Sequence, residues 1–347
     1  MRQQSPRQGR GSHHSRQRQD TYPLPQDTFE LAQAQAGQCL NYGLLTERLP
    51  VWVRDERGWK LAQQTQERFT KQLKGRKILD FTLPELQRLL GENRKRWEAM
   101  LDDCRERGYE VKRFSLRAAS RVVVGLGAES VLETSIRLHR VYGFPILPGS
   151  ALKGLARSYA LWQVADELGV PPLPLEELQA REKARERTPI QKLEACVDEP
   201  DEKRRARWFE DLRQDKAIPP TVAVRYMELP VVEEKIGPLR AAFGTTAGAG
   251  KVIFFDAVPA DPAKLVLELD VMNPHYSLYY QGGHTPPAEY LDPVPVFFLT
   301  IAPGSEFLFA VASRDSSLAE TAHMWLQAAL REMGVGAKTA AGYGLWR

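Results

Sequence analysis

The chain has 347 residues, 43% of them hydrophobic, enough for two domains, or one enlarged by insertions, around a substantial buried core. Its net charge of +4 lies in the first 20 residues, where five arginines (Arg2, Arg7, Arg10, Arg16 and Arg18) face one acid, Asp20; the remainder sums to zero, so a polyanion-binding surface there has to come from local clustering. Three cysteines far apart in sequence, Cys39, Cys104 and Cys196, exclude a disulfide framework or a cysteine zinc site and suit a reducing cytoplasm, while no apolar run approaches the roughly 18 residues of a membrane helix and no apolar core follows the first arginines as in a signal peptide.

Residues 1–26, rich in Gln, Arg, Ser and Gly, predict a disordered basic tail, and residues 27–108 a mostly helical extension. Within it, LPELQRLLGENRKRWEAMLDDCRERG (83–108) spaces its apolar residues by three and four in a charged background, the pattern of a surface helix or two with one buried stripe. EVKRFSLRAASRVVVGL (110–126) reads as a strand with a partly exposed face, and LETSIRLHRVY (132–142) as another extended segment or a loop. Residues 151–168 predict a helix whose broad apolar face comes from Leu152, Leu155, Ala156, Tyr159, Ala160, Trp162 and Val164. The stretch 176–216 mixes acids and bases so densely that an exposed helical insertion, spanning about 171–217, is expected in place of a core element. Strands follow at 251–258, 264–271, 294–301 and 306–311, then a helix at 317–333 striped by Leu318, Ala322, Trp325, Leu326 and Leu330. Simple strand-helix repeats are few, so the fold class expected is α+β, a sheet layer with helices on one face.

Two glycine-framed turns carry the chemistry. In FPILPGSALKGLAR (144–157), Pro148 ends a strand, Gly149 makes the bend and Ser150 is placed as the helix N-cap, which sets Lys153 at the third helical position and Arg157 one turn on. A phosphate there could meet free amides and the ammonium together. In GVGAKTAAGYG (334–344), Gly336 and Gly342 flank Lys338, and the segment suits either a loop presenting amides and one cation to a polyanion or a tight connection beneath a helix. Neither Gly250-Lys251 nor Lys338-Thr339 meets the spacing of a nucleotide phosphate loop: Thr245 stands where the first needs a glycine, and Ala337 precedes Lys338. His139, His275, His284 and His323 show no metal-ligand spacing, so neither metal nor cofactor is expected. Asp256 suits capping a turn better than acid chemistry. HYSLYYQGGHTPP (275–287) offers tyrosines for stacking on bases or docking on protein.

Taken in order, PILPGSALKGLAR (145–157), FGTTAGAGKVIFFDAVP (243–259) and GVGAKTAAGYG resemble the RAMP superfamily of CRISPR-associated proteins; HYSLYYQGG and PVPVFFLTIAPGSEFLF (293–309) are similar, more narrowly, to the sixth-subunit family of the Cmr, or type III-B, effector. The resemblance runs from about residue 117 to residue 347. It implies a ferredoxin-like or RRM-like core with helical additions, in a structural, non-catalytic subunit that caps the backbone filament near the 3′ portion of the guide RNA. Its implied partners are guide RNA, target RNA, the repeated backbone subunit and the first Cmr subunit, in the cytoplasm and with no membrane. Carried onto this sequence, RNA contacts fall on Lys153 and Arg157 beside Gly149 and Ser150, and on Lys338 beside Gly336 and Gly342; Arg121 and Lys251 join them from neighbouring strand-like segments. Recognition would run through phosphate, ribose and main chain without reading most bases. Two rival expectations stay open: a metal-independent endoribonuclease with His139 as general base, and a protein-interaction subunit without RNA contact.

Overall fold

The computed structural model describes residues 20–21, 24–35, 41, 43–44, 52–55, 58–61, 84–128, 130, 134–273 and 295–347. In chain order, β1 (Asp20–Thr21), α1 (Gln26–Gln35), β2 (Trp52–Asp55) and β3 (Gly58–Leu61) come first, the three strands forming a small antiparallel sheet. Helix α2 (Pro84–Glu106) leads into β4 (Glu110–Arg117), and α3 (Gly149–Glu167) into α4 (Leu175–Ala184), α5 (Pro189–Asp198), α6 (Glu202–Arg213), α7 (Pro220–Tyr226) and α8 (Leu229–Phe243). Short strands β5 (Gly244–Thr245), β6 (Gly248–Ala249), β7 (Ile253–Phe254) and β8 (Val258–Pro259) precede the antiparallel pair β9 (Leu267–Met272) and β10 (Val296–Ile301); β11 (Glu306–Ser313) and α9 (Ser316–Glu332) follow. Two expectations change at once. Asp20–Thr21 of the predicted tail pairs with β2, and the extension before α2 holds a sheet as well as helix.

The main sheet is built on β11. It pairs antiparallel with β4 over eight one-to-one positions, Glu306↔Arg117 to Ser313↔Glu110, and on its other side with β7 and β8. Beyond β4, Arg117 and Arg347 exchange main-chain hydrogen bonds and Ala118 bridges Trp346, so the spatial order is 345–347, β4, β11, β7/β8, with every neighbour antiparallel.

Alternation along β11 sends successive side chains to opposite faces, and both faces are covered. Phe307, Phe309 and Val311 enter the core shared with α3 and α9. Leu308, Ala310 and Ala312 face Trp97 and Leu101 of α2 instead. The single-faced helical layer expected from the sequence is thus corrected: α2 lies on the second face. Its buried residues, Leu86, Leu90, Trp97 and Leu101, recur at helical spacing on one side of an otherwise charged helix. Ala310 and Ala312 are small enough to let the indole approach, and Trp97 Nε1 donates to the Asp256 carbonyl at 2.9 Å. Each fully buried Leu-sized side chain contributes about 1.5–3 kcal/mol, which outweighs the weak intrinsic preferences of a solvated helix.

The charged stretch also departs from expectation. Helices α5 and α6 place Leu193, Cys196, Phe209 and Leu212 in the same core as α3, α8 and α9. The apolar stripe is narrow, and the surrounding charges pair within the insertion. Arg181, 3% exposed, donates two hydrogen bonds to Asp215, 2.7 Å to Oδ1 and 2.9 Å to Oδ2, and also binds Glu177, while Lys192 reaches Asp215 at 2.9 Å. Burial works against ionisation of Asp215, but its hydrogen bonds from Arg181 and Lys192 hold the carboxyl well below the usual carboxylate range. Burial, with the nearby Glu233 and Asp211 carboxylates adding to it, pushes the Cys196 thiol up to about 12.

Asp215→Ala leaves the Arg181 guanidinium buried without its main counter-ion and is expected to cost about 3–5 kcal/mol in urea unfolding. Because the folded-state pKa of Asp215 is depressed, this contribution is present above the unfolded value, 3.8, and is lost as pH falls through the folded one. A cost below about 1 kcal/mol, the range of exposed pairs, would show that the pair does not anchor the insertion.

Candidate nucleic-acid interface

At the first bend, α3 starts earlier than expected. Pro148 is the N-cap residue, with φ −60° and ψ 137°, and makes no side-chain cap. The cap comes from far along the chain: Asp256 Oδ1 accepts from the Gly149 amide at 2.7 Å. Gly149 is required there because a β-carbon would overlap the Phe254 carbonyl. Ser150 is therefore inside the helix and is corrected as N-cap, and Lys153 becomes the fifth helical residue. Lys153 is half-exposed, with no ion pair among the described residues. Arg157 is held otherwise: it binds Glu194 at 2.6 Å and Asp198 at 2.8 Å, both on α5. Burial opposes its charge, yet the two carboxylates keep its pKa above the ordinary arginine value. Its guanidinium ties α3 to the insertion.

The second bend is a tight connection whose tip stays exposed. Ala337 donates to the Val123 carbonyl at 2.8 Å and Gly344 to that of Arg121 at 2.7 Å, which makes the segment a tight connection after α9. Gly336, at φ +105°, passes so close to the Val123 carbonyl that a β-carbon would overlap it. Residues 339–342 nevertheless stay exposed. Lys338 occupies the left-handed region at φ 62°, uncommon for any residue but glycine, and its Nζ stands 5.3 Å from the Phe298 ring centroid on β10. Gly342, at φ +87°, ends the turn with open space around it.

Beside this loop Arg121 hydrogen-bonds Glu268 at 3.2 Å and Asp270 at 3.1 Å on β9. The Glu268 bond is the main reason its pKa is raised. Burial opposes ionisation of Asp270, but the Tyr343 hydroxyl, donating at 2.6 Å, and Arg121 hold it below the usual range. Arg121 thereby fastens the glycine-rich segment to the β9–β10 pair. Lys251 lies elsewhere: it is exposed, and its charge acts on Asp315 at the start of α9. Seventeen residues of α9, about 25 Å of helix, separate that end from the glycine-rich loop.

The two bends themselves are connected by main-chain bonds. From Ala337 to Val123, the ladder continues through Arg137 to Val124 at 2.7 Å, Ile146 to Arg137 at 3.2 Å and Leu147 to Ala257 at 3.2 Å. It brings in Arg137 and Arg140, both exposed and without an ion pair among the described residues; neither was among the positions expected from the sequence. Their signal was the alternation of basic residues in IRLHRVY. His139 sits in the same turn. Its Nδ1 accepts from the amides of Val141 and Tyr142, at 3.2 Å each, and its ring packs on Tyr142 and Phe144. Burial pulls its pKa below the ordinary value, opposed by Asp256.

Among the described residues no group of three or more His, Cys, Asp or Glu could hold a metal, and no helix is long and apolar enough to cross a membrane. His275, His284, Cys39 and the HYSLYYQGGHTPP segment lie outside the described residues.

The family described as the RAMP superfamily matches residues 115–347. A curated relative, the CRISPR system Cmr subunit Cmr6 of Pyrococcus furiosus, is 39% identical over 237 residues, 66% of this chain and 65% of that protein, so the chain spans just under two thirds of the relative's length. A crystal structure of Cmr6 from Pyrococcus furiosus is 35% identical, with TM-score 0.37, covering 69% of this chain and 97% of that one. A cryo-EM structure of the type III-B Cmr-beta bound to cognate target RNA contains a chain 19% identical, with TM-score 0.46, covering 74% and 65% respectively.

The turn around His139 is expected to be acid-sensitive. Its folded pKa lies below the ordinary histidine value of 6.5, so the unfolded chain takes up the proton first as pH falls through that value, and folded stability declines. Melting temperatures between pH 7.5 and 5.5 should show a drop that is reduced in His139→Asn, whose side chain can still accept from the turn amides without titrating; an identical drop in the variant would assign the titration elsewhere.

Proposed function

Because the chain belongs to the RAMP superfamily, we propose that it is a non-catalytic, RNA-contacting structural subunit of a type III-B CRISPR (Cmr) effector, in the place of its sixth subunit. The similarity to Cmr6 supports that finer assignment. The sheet order supports a ferredoxin-like, or RRM-like, core: strands β4, β7/β8, β11 and 345–347 occur in the chain as first to fourth and stand in space as fourth, first, third, second, with α3 and α9 as the two crossovers.

In this reading guide RNA runs along the ladder that joins the two bends. The observation that carries it is the sorting of the basic residues. Arg121 and Arg157 are each engaged by two carboxylates, whereas Lys153, Lys338, Arg137 and Arg140 keep free charges on or beside the ladder. Bases would not stack on the sheet as in an RRM, since α2 covers the face that α3 and α9 leave. Phosphate and ribose contacts remain, and these position a strand without reading its sequence. The backbone subunit, the first Cmr subunit and target RNA are the further partners of such a subunit, and the cytoplasm its location. The endoribonuclease alternative loses support from His139: a Nδ1 committed to two amides serves the turn, and a general base needs a free nitrogen within reach of a substrate hydroxyl.

Lys153→Ala combined with Lys338→Gly, which relaxes the left-handed backbone while deleting the charge, is expected to weaken guide retention by the assembled complex. The slope of log affinity against log salt should fall by about 0.7 per lost phosphate contact. Unchanged affinity and slope would remove both lysines from the RNA path. Cleavage of guide precursor in EDTA that is lost in His139→Ala would favour the nuclease instead.

A further inference from the structure

Strand β4 has an open edge. Its eight residues pair one to one with β11 without a bulge, so its main-chain groups point alternately toward β11 and away from it. Arg117 exchanges both its main-chain bonds with Arg347, at 2.9 Å each, while Ala118 bonds back to Ser305 and Gly304. The outward row is therefore Arg117, Ser115, Arg113 and Val111. Residues 345–347 occupy it at Arg117; the outward N–H and C=O groups of Ser115, Arg113 and Val111 have no partner among the described residues. Proline, a bulge, a covering segment or projecting charge normally blunts such an edge. Here β4 has neither proline nor bulge, and Arg113 and Ser115 are exposed. The nearby charges turn back onto the protein: Lys112 to Glu320 at 2.8 Å, Arg113 to Glu98 at 3.5 Å and Arg117 to Glu306 at 3.2 Å.

We infer that the outward edge of β4, from Val111 to Ser115, is a docking site for an extended segment of another protein chain, which joins the sheet as an antiparallel strand in line with residues 345–347. Ladder hydrogen bonds supply affinity in this mode, and alternate side chains supply selectivity. On one face the incoming strand meets Phe114, half-buried with its ring 5.0 Å from that of His323, beside buried Leu116, which calls for apolar residues. On the other it meets Arg113 and Arg117, each about half exposed and held by one carboxylate only among the described residues, so that the unused part of each guanidinium fork calls for a second. A second copy fits poorly: two-fold pairing of β4 with itself, placed to avoid Arg117 and its partner Arg347, sets Arg113 opposite Arg113 of the other copy in one register and Lys112 opposite Lys112 in another, and like charges directly opposed destabilise a strand pair. The inference uses the chain's place among other subunits and is independent of RNA contact.

Residue-resolved amide hydrogen exchange on the full chain, alone and in its native assembly before and after ribonuclease treatment, tests it. In the isolated chain the amides of Val111, Arg113 and Ser115 should exchange freely while those of Lys112 and Phe114 are protected by β11. In the assembly the three outward amides should slow at least about tenfold, and the protection should survive ribonuclease. Ser115→Pro removes one outward donor at an edge position that tolerates proline and should reduce protection at Val111 and Arg113. Equal exchange in both states, protection lost with the RNA, protection arising from the isolated chain at rising concentration, or full protection at Val111 and Arg113 in Ser115→Pro would each overturn the proposal.

Discussion

Burial of β11 on both faces is the constraint from which the remaining architecture follows. A strand carrying Phe307, Phe309 and Val311 on one side and Leu308, Ala310 and Ala312 on the other needs two covers. Helices α3 and α9 supply one, and α2, drawn from outside the region that matches the superfamily, supplies the other. With both faces closed, the sheet has only its rims and loop ends to offer a partner. Lys153, Lys338, Arg137 and Arg140 lie at such places, on the bends and along the ladder between them.

The charges divide by geometry as well, though not by residue type alone, since Lys112 and Lys192 also reach two carboxylates each. Arginine offers a planar fork suited to two acceptors at once, while lysine is a compact, strongly hydrated point charge. Arg121, Arg157 and Arg181 each use the fork to bind two carboxylates and so tie separate elements together. Lys153, Lys251 and Lys338 have no such engagement. Neutrality after Asp20 thus conceals a division between cations held by carboxylates and cations that are not.

Much of the fold was legible in the sequence. The helices at 83–108, 151–168 and 317–333 announced themselves through apolar spacing, and their ends fell within two residues of the observed ones. The strand at 251–258 was less accurate: it divides into β7 and β8, with Asp256 between them reaching back to cap α3. No local pattern could have replaced Ser150 by Asp256, because the two are brought together only by the pairing of Leu147 with Ala257. The second cover on the sheet did leave a trace, since FLFAVA in β11 is an unbroken apolar run, the pattern of a strand buried on both sides. In the insertion the apolar residues were outnumbered by charges, and their stripe emerges once the ion pairs around Arg181 and Asp215 are in place. Of the candidate site, the two glycine-framed lysines were readable from sequence, whereas the capture of Arg121 and Arg157 by acids depended on contacts across long stretches of chain.

The position of α2 bears on how this polypeptide can be divided. The superfamily match starts at residue 115, inside β4. A cut there would halve the strand that pairs with β11 and strip the indole of Trp97 from the alanines beneath it, leaving a greasy, half-paired sheet. Shared ancestry and independent folding therefore have different boundaries in this chain: the smallest piece able to stand alone has to reach back at least to Pro84.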